Sequence, residues 1–366
     1  MKRNILLNPG PATTTDTVKN AQVVPDICPR ENEFGKVMEY ISKGITDFVG
    51  NNDEYITILF GGSGTAAVES MISSIADENS KMLIVDNGAY GKRMCDMAQI
   101  YNIDFVRFKS DMTKKIDLKK LENTIIENNG QITKLAIVHH ETTTGILNDI
   151  ESVGEICNKY NIDMIVDAMS SFAGIPIDMK KMNIKFLASS SNKCIQSMAG
   201  VSFVVAQKEA LNKIKNIRQR NLYLNLYKQY EFFKENYQMR FTPPVQVLYA
   251  LKQAVKEAKD ETIEKRHERY VSLCKILWKG LKDLNLKKLI AEEDSSMLLT
   301  TIIEPKIKGY SFEKMHDYMI SRGYTIYPGK IAAENTFRVA NIGQIYEEDM
   351  QKFVELLKEY MRSIGA

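Results

Sequence analysis

Apolar residues recur along the chain in two alternating rhythms. Short runs in which almost every position is apolar, at 55–60, 81–85, 103–108, 134–139, 162–166, 186–188 and 201–206, predict strands buried on both faces. Between them, apolar residues spaced three and four apart predict helices over 66–75, 92–101, 118–127 and 150–160. An earlier helix over 31–49 is predicted from Phe34, Val37, Met38, Ile41, Ile45 and Phe48. Strand and helix alternating over 55–206 predict an α/β sheet, largely parallel, with ligand loops at the strand carboxyl ends. Residues 207–237 read as helical and carry a stripe of tyrosines (223, 227, 230 and 237) that suits a core or a subunit interface. Arg240-Phe-Thr-Pro-Pro244 ends that stretch, and amphipathic helices are predicted over 245–259 and 261–284. Strands at 298–303, 324–327 and 335–340, with helices at 311–322 and 347–363, predict a smaller α+β domain. Pro9 and Pro11 exclude a helix over 4–16, which reads as an extended arm. The expected division is an arm over 1–16, a large domain over 17–260 and a small C-terminal domain over 261–366.

Composition narrows the function classes. The chain has 366 residues, 44% of them hydrophobic, enough for more than one core. A net charge of +3, spread along the chain, argues against nucleic acid as the main partner. Five cysteines, scattered and without a CxxC spacing, read as reduced thiols and not as a zinc site. No apolar run approaches the roughly 20 residues that span a bilayer, and the one near the N-terminus is too short for a signal peptide. A cytoplasmic protein without a membrane partner is expected.

Candidate chemistry gathers in the loops at 61–65, 86–91, 139–145, 167–171 and 189–193, all of which follow predicted strands and so imply one site. Lys193 stands between small polar residues and apolar strands, where burial would lower its pKa and free the amine for a Schiff base. Asp167 ends the strand before it. An acid ending one strand and a lysine after a later one suit pyridoxal phosphate, the acid pairing with the ring nitrogen and the amine holding the aldehyde. Tyr90 follows a strand end, where its ring could stack on a flat cofactor or simply pack. Arg338 lies inside an apolar strand and needs an anion, either a structural carboxylate or a substrate. His139 and His140 are adjacent, but neighbours in a strand point to opposite faces and cannot share an ion.

One segment supports a different chemistry equally well. Gly62-Ser-Gly64-Thr-Ala-Ala67 fits G-x-G-x-x-A, and Asp86 ends the next strand 22 residues after Gly64 (86 − 64). That is the dinucleotide fingerprint. Both readings put a phosphate at the start of the same helix, so a nicotinamide dehydrogenase stays open at this point, although it leaves Lys193, Asp167 and Arg338 without tasks.

The assembled motifs resemble the class V aminotransferases. They are Asn8-Pro-Gly-Pro11, Gly62-Ser-Gly64, Asn87-Gly-Ala-Tyr-Gly91, Glu141-Thr-Thr-Thr-Gly145, Val166-Asp-Ala-Met-Ser-Ser171 and Ser191-Asn-Lys-Cys-Ile-Gln196, then Arg240-Phe-Thr242, Tyr327-Pro-Gly-Lys330 and Phe337-Arg338 with Asn341-Ile-Gly343. The resemblance implies the fold type I architecture of pyridoxal phosphate enzymes: a large domain with a mainly parallel seven-stranded sheet and a smaller α+β domain. It implies transamination, and fits best the branch exchanging an amino group between 2-aminoethylphosphonate and pyruvate. Alanine–glyoxylate or serine–pyruvate exchange is the alternative. A cysteine desulfurase would need a cysteine past residue 300, and the last one is Cys274. By resemblance, Lys193 is the Schiff-base lysine and the proton shuttle, and Asp167 the partner of the ring nitrogen. Tyr90 stacks on the ring and Thr142 bonds its phenolic oxygen. Ser63, Gly64, Thr65 and Asn192 hold the phosphate, and Thr242 reaches it from the neighbouring subunit of a homodimer. Arg338, with the Gly10 backbone beside it, binds the acidic end of the substrate. Asn8 and the segment Asp26-Ile-Cys-Pro-Arg-Glu31 depart from relatives' usual pattern, which leaves the amine the less defined part.

Overall fold

The computed structural model describes residues 3–329, 331 and 334–365. Its centre is a sheet of seven strands: β1 (Tyr55–Gly61), β2 (Lys81–Asp86), β3 (Phe105–Lys109), β4 (Ile132–Val138), β5 (Asp163–Asp167), β6 (Ile184–Ser190) and β7 (Val201–Gln207). Their order is β1-β7-β6-β5-β4-β2-β3. Neighbours from β6 to β3 are parallel, while β7 runs antiparallel to both β6 and β1. The expected mainly parallel seven-stranded sheet is therefore present.

Alternation along each strand explains the layers, because successive side chains leave opposite faces. Leu59, Leu83, Val85, Leu135, Ile137, Val166 and Phe203 point into one core, shared with α1 (Asn32–Thr46) and a later helix, Val245–Glu261. Phe60, Met82, Ile84, Val138, Ile165, Phe186 and Val204 point into the other, shared with α2 (Gly64–Ile75) and α3 (Ala89–Ile100). The helix Val245–Glu261 is α4. At Thr262 the backbone turns through φ +67° and the threonine side chain caps α5 (Ile263–Asp283). Tyr270, Leu273 and Leu277 of α5 enter a third core with Leu299, Ile302, Phe337 and Val339 of a three-stranded sheet and Phe353 and Leu357 of α6 (Glu347–Ser363). Ile5, Leu7 and Ala12 of the N-terminal arm join that same cluster. The arm's strand Ile5–Leu6 pairs in parallel with Tyr324–Thr325.

Three local expectations need correction. Residues 207–237 are not one helix: Lys208–Lys213 and Leu226–Asn236 are helical, and the chain between them is irregular. There, Arg220 donates to the carbonyls of Ser73 (3.2 Å) and Ala76 (2.8 Å), terminal acceptors that α2 cannot satisfy itself. The expected strand at 324–327 is two pieces in different sheets. Tyr324–Thr325 meets the arm, and Tyr327–Pro328 pairs with Thr336–Ala340. Helix α3 begins at Ala89, so Tyr90 sits in its first turn and not in a loop. Lys330, in one of the quoted motifs, lies outside the described residues. Among the described residues no helix is long and apolar enough to cross a membrane.

Candidate active site

Strands β1, β2, β4, β5 and β6 end on one edge of the sheet, and residues at or after the ends of β1, β2, β5 and β6 surround a cavity of about 530 Å³. Ser63, Gly64, Thr65, Tyr90, Asp167, Asn192 and Lys193 all line it, with Arg93 and Met169. Thr142 lines a small annex together with Tyr90, His140, Asp167, Ser170 and Lys193.

Lys193 is delivered by the turn that follows β6. Ser191 N–H donates to Val201 O (3.0 Å), closing the turn onto β7. Arg266, buried on α5, donates to Cys194 O (2.6 Å), and Gln196 donates to the Tyr270 hydroxyl (2.7 Å). Two helix side chains from more than 70 positions away thus hold the lysine loop from behind. The Lys193 Nζ donates to Pro9 O of the arm. Gly10 follows at φ +124°, where a Cβ would lie 2.6 Å from Nζ, so only glycine fits there.

Asp167, at the end of β5, accepts the N–H of Met169 (2.9 Å) and forms no ion pair among the described residues. Burial pushes its carboxyl up to about 6 from an ordinary 3.8. An acid whose pKa is raised by folding binds protons more readily folded than unfolded. The Asp167 contribution to stability is therefore most favourable below about pH 4 and falls as pH rises through about 6, by at most about 3 kcal/mol. In the apoprotein, Asp167→Asn is expected to remove that loss. At pH 7.5 its urea midpoint should exceed that of the wild type, with the difference shrinking towards pH 4. A midpoint lower at both pH values would contradict the assignment of strain to this carboxylate.

Glu141, in the Glu141-Thr-Thr-Thr-Gly145 motif, has a task that only the geometry shows. Fully buried, it accepts the N–H groups of Tyr90 (3.1 Å) and Gly91 (3.3 Å), while Thr143 Oγ1 accepts that of Ala89 (3.1 Å). Thr143 in turn donates to Glu141 (2.5 Å). A loop 50 positions later thus caps the first turn of α3, the turn that carries Tyr90. Burial pushes the Glu141 carboxyl up, and these donors act against that shift. Arg93, one turn along α3, brings its guanidinium 4.8 Å from the centre of the Tyr90 ring. The i, i+3 spacing of Tyr90 and Arg93 was the sequence signal for this pair.

Arg338 is fully buried. Its Nε donates to Pro328 O (3.0 Å) and its Nη1 to Thr142 O (3.0 Å). Nη2 has no partner among the described residues. Burial lowers the Arg338 pKa, a cost that an anion at Nη2 would relieve. Thr242 is not brought to the cavity: it is exposed and outside the lining.

The dinucleotide reading fails on topology and on Asp86. In that fold the strand before the glycine turn lies beside the next strand in sequence, whereas β1 is an edge strand paired to β7, five places from β2. Asp86 is already engaged, accepting from Arg107 Nε (2.6 Å). The remaining groups are complements of another cofactor. Helix α2 begins with no side-chain cap and no acid in its first turn, which leaves donors for a dianion. Asp167 is a buried carboxylate without an ion pair among the described residues, and Lys193 is a primary amine in the same lining. A phosphate, a protonated ring nitrogen and an aldehyde would satisfy all three, so the cavity fits pyridoxal phosphate.

Comparison with known proteins agrees. The sequence profile described as Aminotransferase class-V matches residues 15–347. The chain is 38% identical over 363 residues to a 2-aminoethylphosphonate–pyruvate transaminase of Bacteroides fragilis (strain YCH46), covering 98% of this chain and 99% of that one. It is 39% identical over 360 residues to a bifunctional phosphonoacetaldehyde hydrolase/aminoethylphosphonate transaminase of Clostridioides difficile (strain 630). That match covers 98% of this chain but spans only 56% of the relative's length. An alanine–glyoxylate aminotransferase from Nostoc sp. has the same fold, with a TM-score of 0.91 at 24% identity over 99% of this chain and 96% of that one. Sheet order, cavity chemistry and full-length similarity converge: the chain belongs to the class V aminotransferases, fold type I enzymes that use pyridoxal phosphate.

Proposed function

We propose that this protein transfers the amino group of 2-aminoethylphosphonate to pyruvate, giving phosphonoacetaldehyde and L-alanine, in either direction. The observation that carries the reading is identity of 38% along 98% of the chain to a protein of that named activity. The unpartnered Nη2 of Arg338 supports it, since both the amine and the keto acid are anions that one arginine can take in turn.

In this reading Lys193 holds the cofactor's aldehyde, Asp167 its ring nitrogen, Tyr90 the ring face and Thr142 the phenolic oxygen. Ser63, Gly64, Thr65 and Asn192 hold the phosphate. When bound, the cofactor supplies an electron sink conjugated to the reacting carbon and carries the nitrogen between half-reactions. Once the incoming amine has taken its place on the aldehyde, the freed Lys193 Nζ would be the base that takes the proton from the carbon bearing the amine and the acid that gives it back. The Asp167 carboxylate keeps a positive charge on the ring nitrogen, which its own burial makes favourable to meet. Arg338 fixes the acidic end of each substrate through Nη2, while its other two donors stay on Pro328 and Thr142 and set its direction. Over the cycle the amine's carbon exchanges nitrogen for the oxygen of water, and pyruvate's carbonyl makes the opposite exchange.

The test is single-turnover reaction of the cofactor-loaded enzyme with 2-aminoethylphosphonate, L-alanine and L-serine at equal concentrations. The first two are expected to convert the cofactor absorbance at least about tenfold faster than serine, the scale of one lost polar contact. Faster conversion by serine would leave an aminotransferase but remove the aminophosphonate.

The same reading includes a homodimer whose sites are shared. Exposed Leu222, Tyr223 and Phe232 lie near Thr242 in sequence, and Tyr223 donates to Gly61 O (2.9 Å) at the rim of the glycine turn. A second copy covering this rim would bring a Thr242 to each phosphate site. Sedimentation is expected to give a dimer, and Thr242→Val to weaken cofactor affinity without dissociating it. A fully active monomer would exclude shared sites.

A further inference from the structure

We propose that Arg93 is an anion-binding residue of this site that grips the phosphate of the bound cofactor, alongside the first turn of α2. The inference rests on the pyridoxal phosphate reading and deepens it. A phosphate monoester carries close to two negative charges at neutral pH, yet Ser63, Gly64 and Thr65 bring only neutral donors. Of the two cations that line the cavity among the described residues, Lys193 is engaged with the arm through Pro9 O. Arg93 is the other, and the one beside the glycine turn: its Nη1 reaches Thr65 Oγ1 at 3.4 Å. That contact is long for a hydrogen bond, and Arg93 forms no ion pair with any described residue. Its neighbour Lys92 is by contrast paired with Asp96 (2.8 Å) on the outer side of the same helix.

Geometry gives Arg93 the freedom and the aim this task needs. The guanidinium lies over the Tyr90 ring, 4.8 Å from its centre, a cation–π contact that leaves its N–H groups available for hydrogen bonds to an anion. Helix α3 is itself anchored by the Glu141–Thr143 cap, so the arginine projects from a fixed base. Across the cavity, α2 starts at Ser63 without a side-chain cap or an acid, as α4 does after Pro244, so its first N–H groups are open to an anion. The uncapped helix start and an arginine without an ion pair among the described residues line the same cavity, and a dianion there answers both.

Pyridoxal 5′-phosphate and pyridoxal, the same ring without the phosphate, separate this role from a structural one. Apoprotein of wild type, Arg93→Gln and Arg93→Lys would be titrated with each by calorimetry. Arg93→Gln is expected to weaken pyridoxal 5′-phosphate roughly 10- to 100-fold, the loss of one or two charge-assisted bonds, and to leave pyridoxal within about twofold. Arg93→Lys should fall between. The phosphate-dependent loss should also shrink as salt rises, because Arg93 is open to solvent. Equal losses for both compounds, or none for either, would overturn the assignment while leaving the cofactor reading intact. A wild type that took up neither compound would overturn both.

Discussion

Replacing Lys193 with alanine is expected to abolish amino-group transfer, lowering kcat by about 10⁴-fold or more, because one side chain serves both as the anchor of the aldehyde and as the proton carrier. The fold should survive. Ser191, Cys194 and Gln196 keep the loop's backbone and side-chain bonds to β7 and α5, none of which uses the lysine. Pro9 O loses its donor, on an arm still held by strand pairing. Borohydride reduction of the wild type followed by peptide mapping should place the cofactor on Lys193. In the variant, reduction should leave no covalent label. A label on another lysine would refute the assignment whatever the activity loss.

The second large effect is expected at Arg338. Two of its donors are committed to main-chain carbonyls, and Nη2 has no partner among the described residues. Lysine in its place offers a point charge that cannot hold Pro328 O, Thr142 O and an anion at once. Arg338→Lys should therefore lower kcat/KM about 10- to 100-fold in each half-reaction, with the amine and with the keto acid alike. Parallel losses are the important feature, since the two substrates are proposed to use one subsite in turn. A loss confined to one half-reaction would mean that the other acid binds elsewhere. Because the variant leaves a carbonyl unsatisfied, its thermal midpoint should be measured beside its kinetics.

Much of the architecture was legible in the hydrophobic rhythm, for reasons that differ along the chain. The helices at 118–127 and 347–363 match their expected bounds because each carries a clean apolar stripe and polar ends. The seven strands were legible because both faces of the sheet are covered and the runs are continuous. Residues 214–225 misled, since their fold is decided by Arg220 reaching the end of α2, a contact 144 or more positions away in sequence. The glycine turn could not separate two cofactors, because a phosphate at a helix start looks alike in both; strand order separated them. At the cavity, Lys193 and Asp167 stood out through their position after strands. Arg266 did not, because a buried arginine in an amphipathic helix shows its partner, Cys194 O, only in three dimensions. Thr242 is a case where one chain shows exposure and nothing further.

The N-terminal arm bears on how the enzyme comes into being. Its strand Ile5–Leu6 is completed by Tyr324–Thr325, 319 positions later (324 − 5), and Ala12 N–H is bonded to Asn192 O (2.9 Å). On a ribosome the arm emerges long before the strand that receives it. The central sheet has all its strands once residue 207 is out, but the strand that fixes the arm before Pro9 comes 117 positions later (324 − 207). Closure of the site is thus among the last events of synthesis, and a nascent chain stalled before that strand would carry a finished sheet around an unroofed lysine.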